Sequence, residues 1–477
     1  MSEVPLNFDI ELFAAELKTS PLGVLLPNAA GYRMIPASLD PLIIDDAVWA
    51  SVAKASELAL RGMNAIVERW RQPGHKAFAE RIYAELSPLE QHATSMPGPA
   101  ELATARLDLF FDRDGLKIIE ANTTIPAMQA YSDIIRKAWL KALGCWDGRS
   151  PNSEDLLASL LFLYAKNRPD PAPVKPHIAI VARHQDSQTA ELLYLQNVWQ
   201  SQGYTVTLRT PGELEQANGK LCRKGHPDEG YDLIYRHIFA SRLDGASAFA
   251  RSLLRPKSYG IYNPISAHLE IKALFAELSH YAGDDELATT LGFSSEERRL
   301  LNQHLPWTRI LRTSSDPGRA LAELKAWRSL PPTDYVIKSS SGYGGHTVFM
   351  GSHFHEPSTQ ERLQVLLKRP GRIDWAEFID HCVADPTGLW IIQRRMQGHR
   401  MKHQFLCDKV LEQESYVDAS IFAWAHTKPR GGASRFAIDP IVNLGRGGGL
   451  LPMFIRSEYD ALLAPEKNST HSASSKG

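Results

Sequence analysis

The chain has 477 residues, long enough for two to four packed units rather than one. It carries 53 Lys and Arg against 54 Asp and Glu, a net charge of −1 that excludes a protein whose main task is to coat nucleic acid or an anionic membrane. Hydrophobic residues at 43% and charged residues at 22% are the proportions of a soluble globular protein with a real core.

The first residues, MSEVPLNFDIELF, are acidic and lack the basic start of a secretory signal. No apolar run reaches the ~18 residues of a membrane span, and a cytoplasmic location is expected. Cys145, Cys222, Cys382 and Cys407 lie far apart without zinc spacing, which fits reduced thiols in that compartment. Residues 40–90 show helical periodicity, clearest from Asp46 to Trp70. Two strand-like runs, ARLDLFF and LKIIEAN, follow around Asp112-Arg113-Asp114-Gly115, and helical segments lead to a proline-rich linker at 167–176. Beyond it, strands at 177–183, 204–210 and 231–239 around a helix at 186–203 predict a small parallel α/β unit. A single amphipathic helix is expected at 268–281, strands on either side of a small-residue loop within 334–352, and a buried strand at 389–396. The domains predicted are 1–166, helical plus the hairpin; 177–265, α/β; 266–455; and a disordered tail over 456–477, most polar after Leu463.

Two motifs carry chemistry. A three-residue loop Arg113-Asp114-Gly115 in the first hairpin pairs Asp112 with Leu116, Phe110 with Ile118, Asp108 with Glu120 and Arg106 with Asn122. Two acids facing each other across a ladder repel, and a divalent cation resolves the conflict. Asp, Glu and Asn oxygens suit Mg²⁺. An exposed edge hairpin with solvated acids is the plainer alternative. The second motif is Val336-Ile-Lys338-Ser-Ser-Ser-Gly342-Tyr343-Gly344-Gly345. It is neither a Walker A loop nor a dinucleotide fingerprint, because the glycines join two strands. Such a flap can close its amides over phosphate oxygens, and Lys338 inside an apolar strand needs an anionic partner. An ordinary glycine hairpin with a snorkelling lysine is the alternative.

Together these motifs resemble the ATP-grasp superfamily. There, α+β subdomains hold ATP beneath a glycine-rich hairpin, and the D…E-x-N magnesium motif normally follows the flap. Here R-x-D…E-x-N at 106–122 precedes the flap, so the chain resembles the circularly permuted group that includes glutathionylspermidine synthetase-like amide ligases. The resemblance spans most of 100–455 and implies a permuted ATP-grasp fold with a preceding parallel α/β domain. It implies Asp108, Glu120 and Asn122 as Mg²⁺ ligands and Arg106 on the γ-phosphate or acyl-phosphate. Lys272, Lys338, Gly342, Tyr343, Gly344, Gly345 and Gln393 would bind ATP, and Arg446 in the late loop Asn443–Gly449 would face the phosphates.

The implied activity is ATP-dependent joining of a small-molecule carboxylic acid to an amine through an acyl-phosphate, releasing ADP and phosphate. The amine could be an amino acid, peptide or polyamine. A small-molecule phosphotransferase or a non-catalytic ATP-binding protein are the rival readings. No nucleic acid or membrane partner is expected, and homo-oligomerisation, like substrate contact by Arg183, Arg236 or Arg435, stays open. His237, His346 and His403 are read as structural or peripheral.

Overall fold

The protein is described here by a computed structural model. It describes every residue except 1–4, 6, 21, 26–30, 97, 168–172, 343–346, 386–388, 445–446 and 465–477. Tyr343, Gly344, Gly345, Arg446 and His346 therefore lie outside the described residues, as does most of the predicted tail.

The central feature is a 7-stranded sheet assembled from both ends of the chain. In spatial order its strands are His399–Leu406, Ala37–Ser38, Gly449–Leu451, Gly432–Ala437, Val410–Trp424, Thr104–Asp112 and Gly115–Asn122. Strand Thr104–Asp112 alternates strictly, as a half-buried strand must. Ala105, Leu107 and Leu109 enter a core built on the helix Asp46–Trp70, while Arg106 and Asp108 point to the other face, into a cleft.

The partner strand does not alternate. Asp108 pairs with Glu120 and Arg106 with Asn122, as the sequence predicted, but a bulge follows and Leu109 meets Ile118. The extra residue is Ile119. Toward the turn the register differs from the prediction: Asp112 pairs with Gly115, which leaves a two-residue loop, and Phe110 faces Lys117 instead of Ile118. The bulge has a physical purpose. Without it Leu116, Ile118, Glu120 and Asn122 would share one face; with it Leu116 and Ile118 are buried in the core and Glu120 and Asn122 line the cleft.

A second, antiparallel sheet of four strands stands opposite: Thr308–Ile310, Trp390–Arg394, Tyr335–Ser339 and Val348–Met350. Ile337, Phe349 and Ile392 pack beneath it on the helices Pro357–Leu367 and Trp375–Ala384. Val336, Lys338, Met350 and Gln393 occupy its other face.

The parallel α/β unit forms as predicted, with strand order Leu233–His237, Ile178–Ala182, Val206–Arg209 and the helix Thr189–Ser201. Between its second and third strands lies an unpredicted antiparallel meander over Leu214–Gly230. The parallel sheet shares a core with the helices Gln129–Ala142 and Pro151–Asn167, with Trp139 and Trp199 both fully buried. Two further expectations are corrected. The predicted helix 268–281 is broken at Ile271, whose extended backbone separates Ala267–Glu270 from Lys272–Ala282. The start of the predicted tail is also ordered: Arg456–Leu463 is a helix, because Tyr459 packs on Trp139 and Phe454 while Glu458 pairs with Arg136.

Candidate active site

The cleft between the two sheets is a cavity of about 260 Å³. Arg106, Asp108, Glu120, Asn122, Lys272, Lys338, Gly342 and Gln393 all line it, although they come from segments hundreds of positions apart. The structure thus brings together every described candidate residue.

On the large-sheet side the charges are already paired. Arg106 donates from Nε to Asp108 Oδ1 at 2.7 Å and from Nη2 to Oδ2 at 3.2 Å, and from Nη1 to the Ala127 carbonyl at 2.9 Å. Arg435 donates to Asp108 Oδ2 at 3.1 Å and to Asp418 Oδ2 at 2.6 Å. Burial pushes Asp108 upward, but Arg106 and Arg435 overcome it and hold the carboxyl below the usual range. Asp418, which shares Arg435, is pushed up to about 6 by burial, with Asp108 adding to the push. Sequence reasoning missed Asp418. The signal was present in Tyr416-Val-Asp-Ala-Ser-Ile-Phe422, where Val417, Ala419 and Ile421 alternate into the core and leave Asp418 and Ser420 in line with Asp108.

The other hairpin strand is less committed. Glu120 lies 3.9 Å from Lys272 Nζ and is partly exposed. The Asn122 amide nitrogen is buried without a hydrogen-bond partner among the described residues. Turned over, the same amide places its oxygen there. Two carboxylates and an amide oxygen form a hard-oxygen donor set, and the spare amide is what a cation site leaves behind, so these residues fit Mg²⁺. Among the described residues no group of three His, Cys, Asp or Glu side chains forms a metal cage, so any cation here would rely on Asn122 and outside oxygens.

The opposite wall is cationic. Lys338 is only 7% exposed, and its ammonium donates to the neutral Gln393 Oε1 at 2.8 Å. Burial lowers it to about 8, opposed by Glu120 and assisted by Lys272. Gln393 is held in turn by Thr308 Oγ1 at 3.1 Å, so its side chain orients the lysine. The broken helix explains Lys272. Its backbone N–H donates to the Ser340 carbonyl at 3.0 Å, and Ser340 Oγ accepts from Ala273 N–H at 3.1 Å, which starts the second helix beside the flap. Lys272 Nζ then reaches the Gly342 carbonyl at 2.5 Å. Gly342 is required by close approach, since a Cβ there would meet Thr347 Oγ1 at 1.9 Å.

Glu270, also missed, accepts the Thr123 and Thr124 amides at 2.6 and 2.5 Å and so fixes the chain just after Asn122. Arg236 is fully buried and spent on the carbonyls of Ile238, Asn263, Pro264 and Thr124. It is a strut of the fold. Arg183 pairs with Asp186 at 2.8 Å, away from this cleft.

With this geometry in view, the comparisons with known proteins are brief. No family model matches, and no curated protein matches by sequence. Among solved structures, a glutathione synthetase-like effector from Globodera pallida, in its apo form, is similar with a TM-score of 0.58 at 11% identity, over 94% of this chain and 96% of that one. The chain has that effector's fold. A provisionally named gamma-glutamylcysteine synthetase from Methylobacillus flagellatus reaches a TM-score of 0.41 at 10% identity, over 88% and 89% of the two chains, too low to carry an argument. No described helix is long and apolar enough to cross a membrane.

Proposed function

We propose that this protein is an ATP-dependent carboxylate–amine ligase with a circularly permuted ATP-grasp arrangement. The observation that carries the reading is the convergence, in one cleft, of the Arg106–Asp108/Glu120–Asn122 hairpin with Lys272 and Lys338. An early hairpin lying beside the late strand Val410–Trp424 in one sheet supports an inverted motif order. The effector's fold supports the same class.

In this reading the apolar residues Val336, Val348, Met350 and Met396 receive the nucleotide base. Lys338, oriented by Gln393, and Lys272 neutralise phosphate charge beside Gly342. Asp108, Glu120 and Asn122 would hold Mg²⁺, which when bound supplies charge neutralisation to the phosphates. Arg106 faces the transferred phosphoryl group, joined by Arg446 from the late loop. Because both Asp108 oxygens are held by arginines, nucleotide binding has to draw Arg106 partly toward phosphate.

The acid or amine enters from the α/β side. A crevice of about 230 Å³ lies at the carboxyl ends of strands Ile178–Ala182 and Leu233–His237, where strand order reverses, and is lined by Arg183, Arg242 and Ile125. The segment from Thr123 to Met128 separates it from the cleft. The substrates are small molecules, and amino acids, peptides and polyamines are the classes to try.

The test is ADP release with pairs drawn from those classes. Release that requires both an acid and an amine supports the ligase. Release with one substrate alone, its phosphate retained on that molecule, would make the protein a phosphotransferase. ATP binding without turnover on any pair would leave a nucleotide-binding protein.

A further inference from the structure

A second cavity, of about 510 Å³, lies apart from the cleft and takes no part in the proposed chemistry. Its walls are mostly apolar: Ala93, Met96, Leu163, Leu254, Ile261 and Ile265 contribute, and volume and lining fall in the range of small-molecule sites. One wall residue does not suit an apolar hollow. His268 is 3% exposed, yet its buried Nδ1 has no hydrogen-bond partner among the described residues. Its one ring contact is edge-on to Tyr83 at 6.4 Å, and the Tyr83 hydroxyl is buried and unpartnered as well. Burial depresses the His268 imidazole to about 4, with Arg71 adding to the effect, so it is neutral at physiological pH. A neutral imidazole has one donor and one acceptor to offer, and leaving the buried nitrogen unmet costs free energy. Of the three cations lining it, Lys257 pairs with Glu101 and Arg71 with Glu68 and the Thr94 carbonyl, while Arg255 has no side-chain partner among the described residues.

We propose that this cavity is a regulatory site for a largely apolar small molecule bearing a hydroxyl group, which would hydrogen-bond His268 while its body fills the hollow. A hydroxyl both donates and accepts, matching a neutral imidazole, and an apolar body recovers roughly 25 cal/mol per Å² buried.

The link to the cleft runs through a single segment. Pro264, Ile265 and His268 line the cavity, whereas their neighbours hold the nucleotide side. Ser266 and Thr123 exchange hydrogen bonds, Ser266 Oγ to the Thr123 carbonyl at 2.9 Å and Thr123 Oγ1 to the Ser266 carbonyl at 3.0 Å. Glu270 grips the Thr123 and Thr124 amides, and Lys272 begins the next helix at the flap. A ligand that seats Ala267–Glu270 more firmly fixes Asn122 and Lys272 together. This coupling, though not the binding itself, rests on the cleft being the nucleotide site.

The probe is 2-naphthol, with naphthalene as the analogue lacking the hydroxyl, followed by titration calorimetry on the full chain. The expected result is saturable one-site binding of 2-naphthol, at least fivefold weaker in His268→Leu and abolished in Leu254→Trp, which fills the mouth from a partly exposed position. Naphthalene should bind the wild type and His268→Leu alike. No saturable binding, or binding unaffected by Leu254→Trp, overturns the site; equal 2-naphthol affinity in wild type and His268→Leu overturns the role of the imidazole. Thermal unfolding of both variants within a few degrees of wild type keeps the comparison valid. Should His268→Leu fail to fold, His268→Gln, which keeps one donor and one acceptor, is expected to retain binding within about threefold, and its failure to do so counts against the proposal. Coupling is read separately, as a change of at least threefold in ATP affinity at saturating 2-naphthol, and an unchanged ATP affinity overturns regulation. Because naphthol binding is measured without turnover, failure of the ligase reading and failure of this site give different results.

Discussion

The two walls of the cleft solve the problem of buried charge in opposite ways. On the large-sheet side, Arg106, Asp108, Arg435 and Asp418 satisfy one another, so that wall is electrostatically complete without any ligand. On the smaller sheet, Lys338 rests against the neutral Gln393 amide, with Glu120 a loose neighbour. A completed network holds geometry; an incomplete one holds affinity. The first wall keeps the hairpin in register, and under the proposed function the second would supply the attraction for phosphate.

The largest effects should separate two acids that sit opposite each other on the same hairpin. Glu120→Ala is expected to reduce acid- and amine-dependent ADP release by ~10³-fold while leaving urea stability within about 1 kcal/mol, since the residue is half-open and loosely paired. Asp108→Ala should also abolish turnover, but with a loss of about 3–5 kcal/mol in urea unfolding, because it strands the buried Arg106 guanidinium and takes one of the two carboxylates from Arg435. Equal stability losses in the two variants would erase the distinction between the walls.

Next comes Lys338→Met, which keeps the length of the side chain and removes an underpaired buried ammonium. ATP affinity should fall by ~10²-fold with stability unchanged or increased. A matching loss of stability would mean that Gln393 alone satisfies the lysine.

A smaller effect concerns pH. Lys338 in the free cleft loses its proton around pH 8, below its ordinary value, and bound phosphate favours the charged form. Nucleotide binding should therefore take up a proton between about pH 8 and 10, and affinity should weaken by up to about tenfold per unit above pH 8. Calorimetry in buffers of different ionisation enthalpy measures this directly, and Lys338→Met should remove it.

The smallest effect should come from Asp418→Asn. Arg435 keeps Asp108 but loses its second anchor, and a loss of about tenfold in Mg²⁺-dependent turnover is expected, as for other residues that orient ligands indirectly. An unchanged rate would make Asp418 a partner for Arg435 in folding alone.

How much of this was legible in the sequence varied with the range of the interaction. The parallel α/β unit and the strands around Lys338 were readable because apolar periodicity is local. The Asp108–Glu120 and Arg106–Asn122 pairings were readable for the same reason, yet the turn register was wrong by one. An even-numbered run of Leu116, Ile118, Glu120 and Asn122 looks like one face, and only packing against the long helix forces the bulge at Ile119. The break at Ile271 was hidden for a similar reason, because Glu270 is drawn to Thr123 and Thr124, far away in sequence. Asp418 and Arg435 went unassigned since nothing near them in the chain names Asp108 as their partner.

The sheet's connectivity also sets a schedule for the protein's synthesis. Strand Thr104–Asp112 leaves the ribosome early, but its neighbour Val410–Trp424 and the arginine on Gly432–Ala437 arrive only when nearly all of the chain has been made. Until then Asp108 has lost half of its guanidinium partners and the hairpin presents an unpaired edge. The protein must therefore keep a charged, half-paired surface waiting through most of translation, and this wall of the cleft closes as one of the last events of folding.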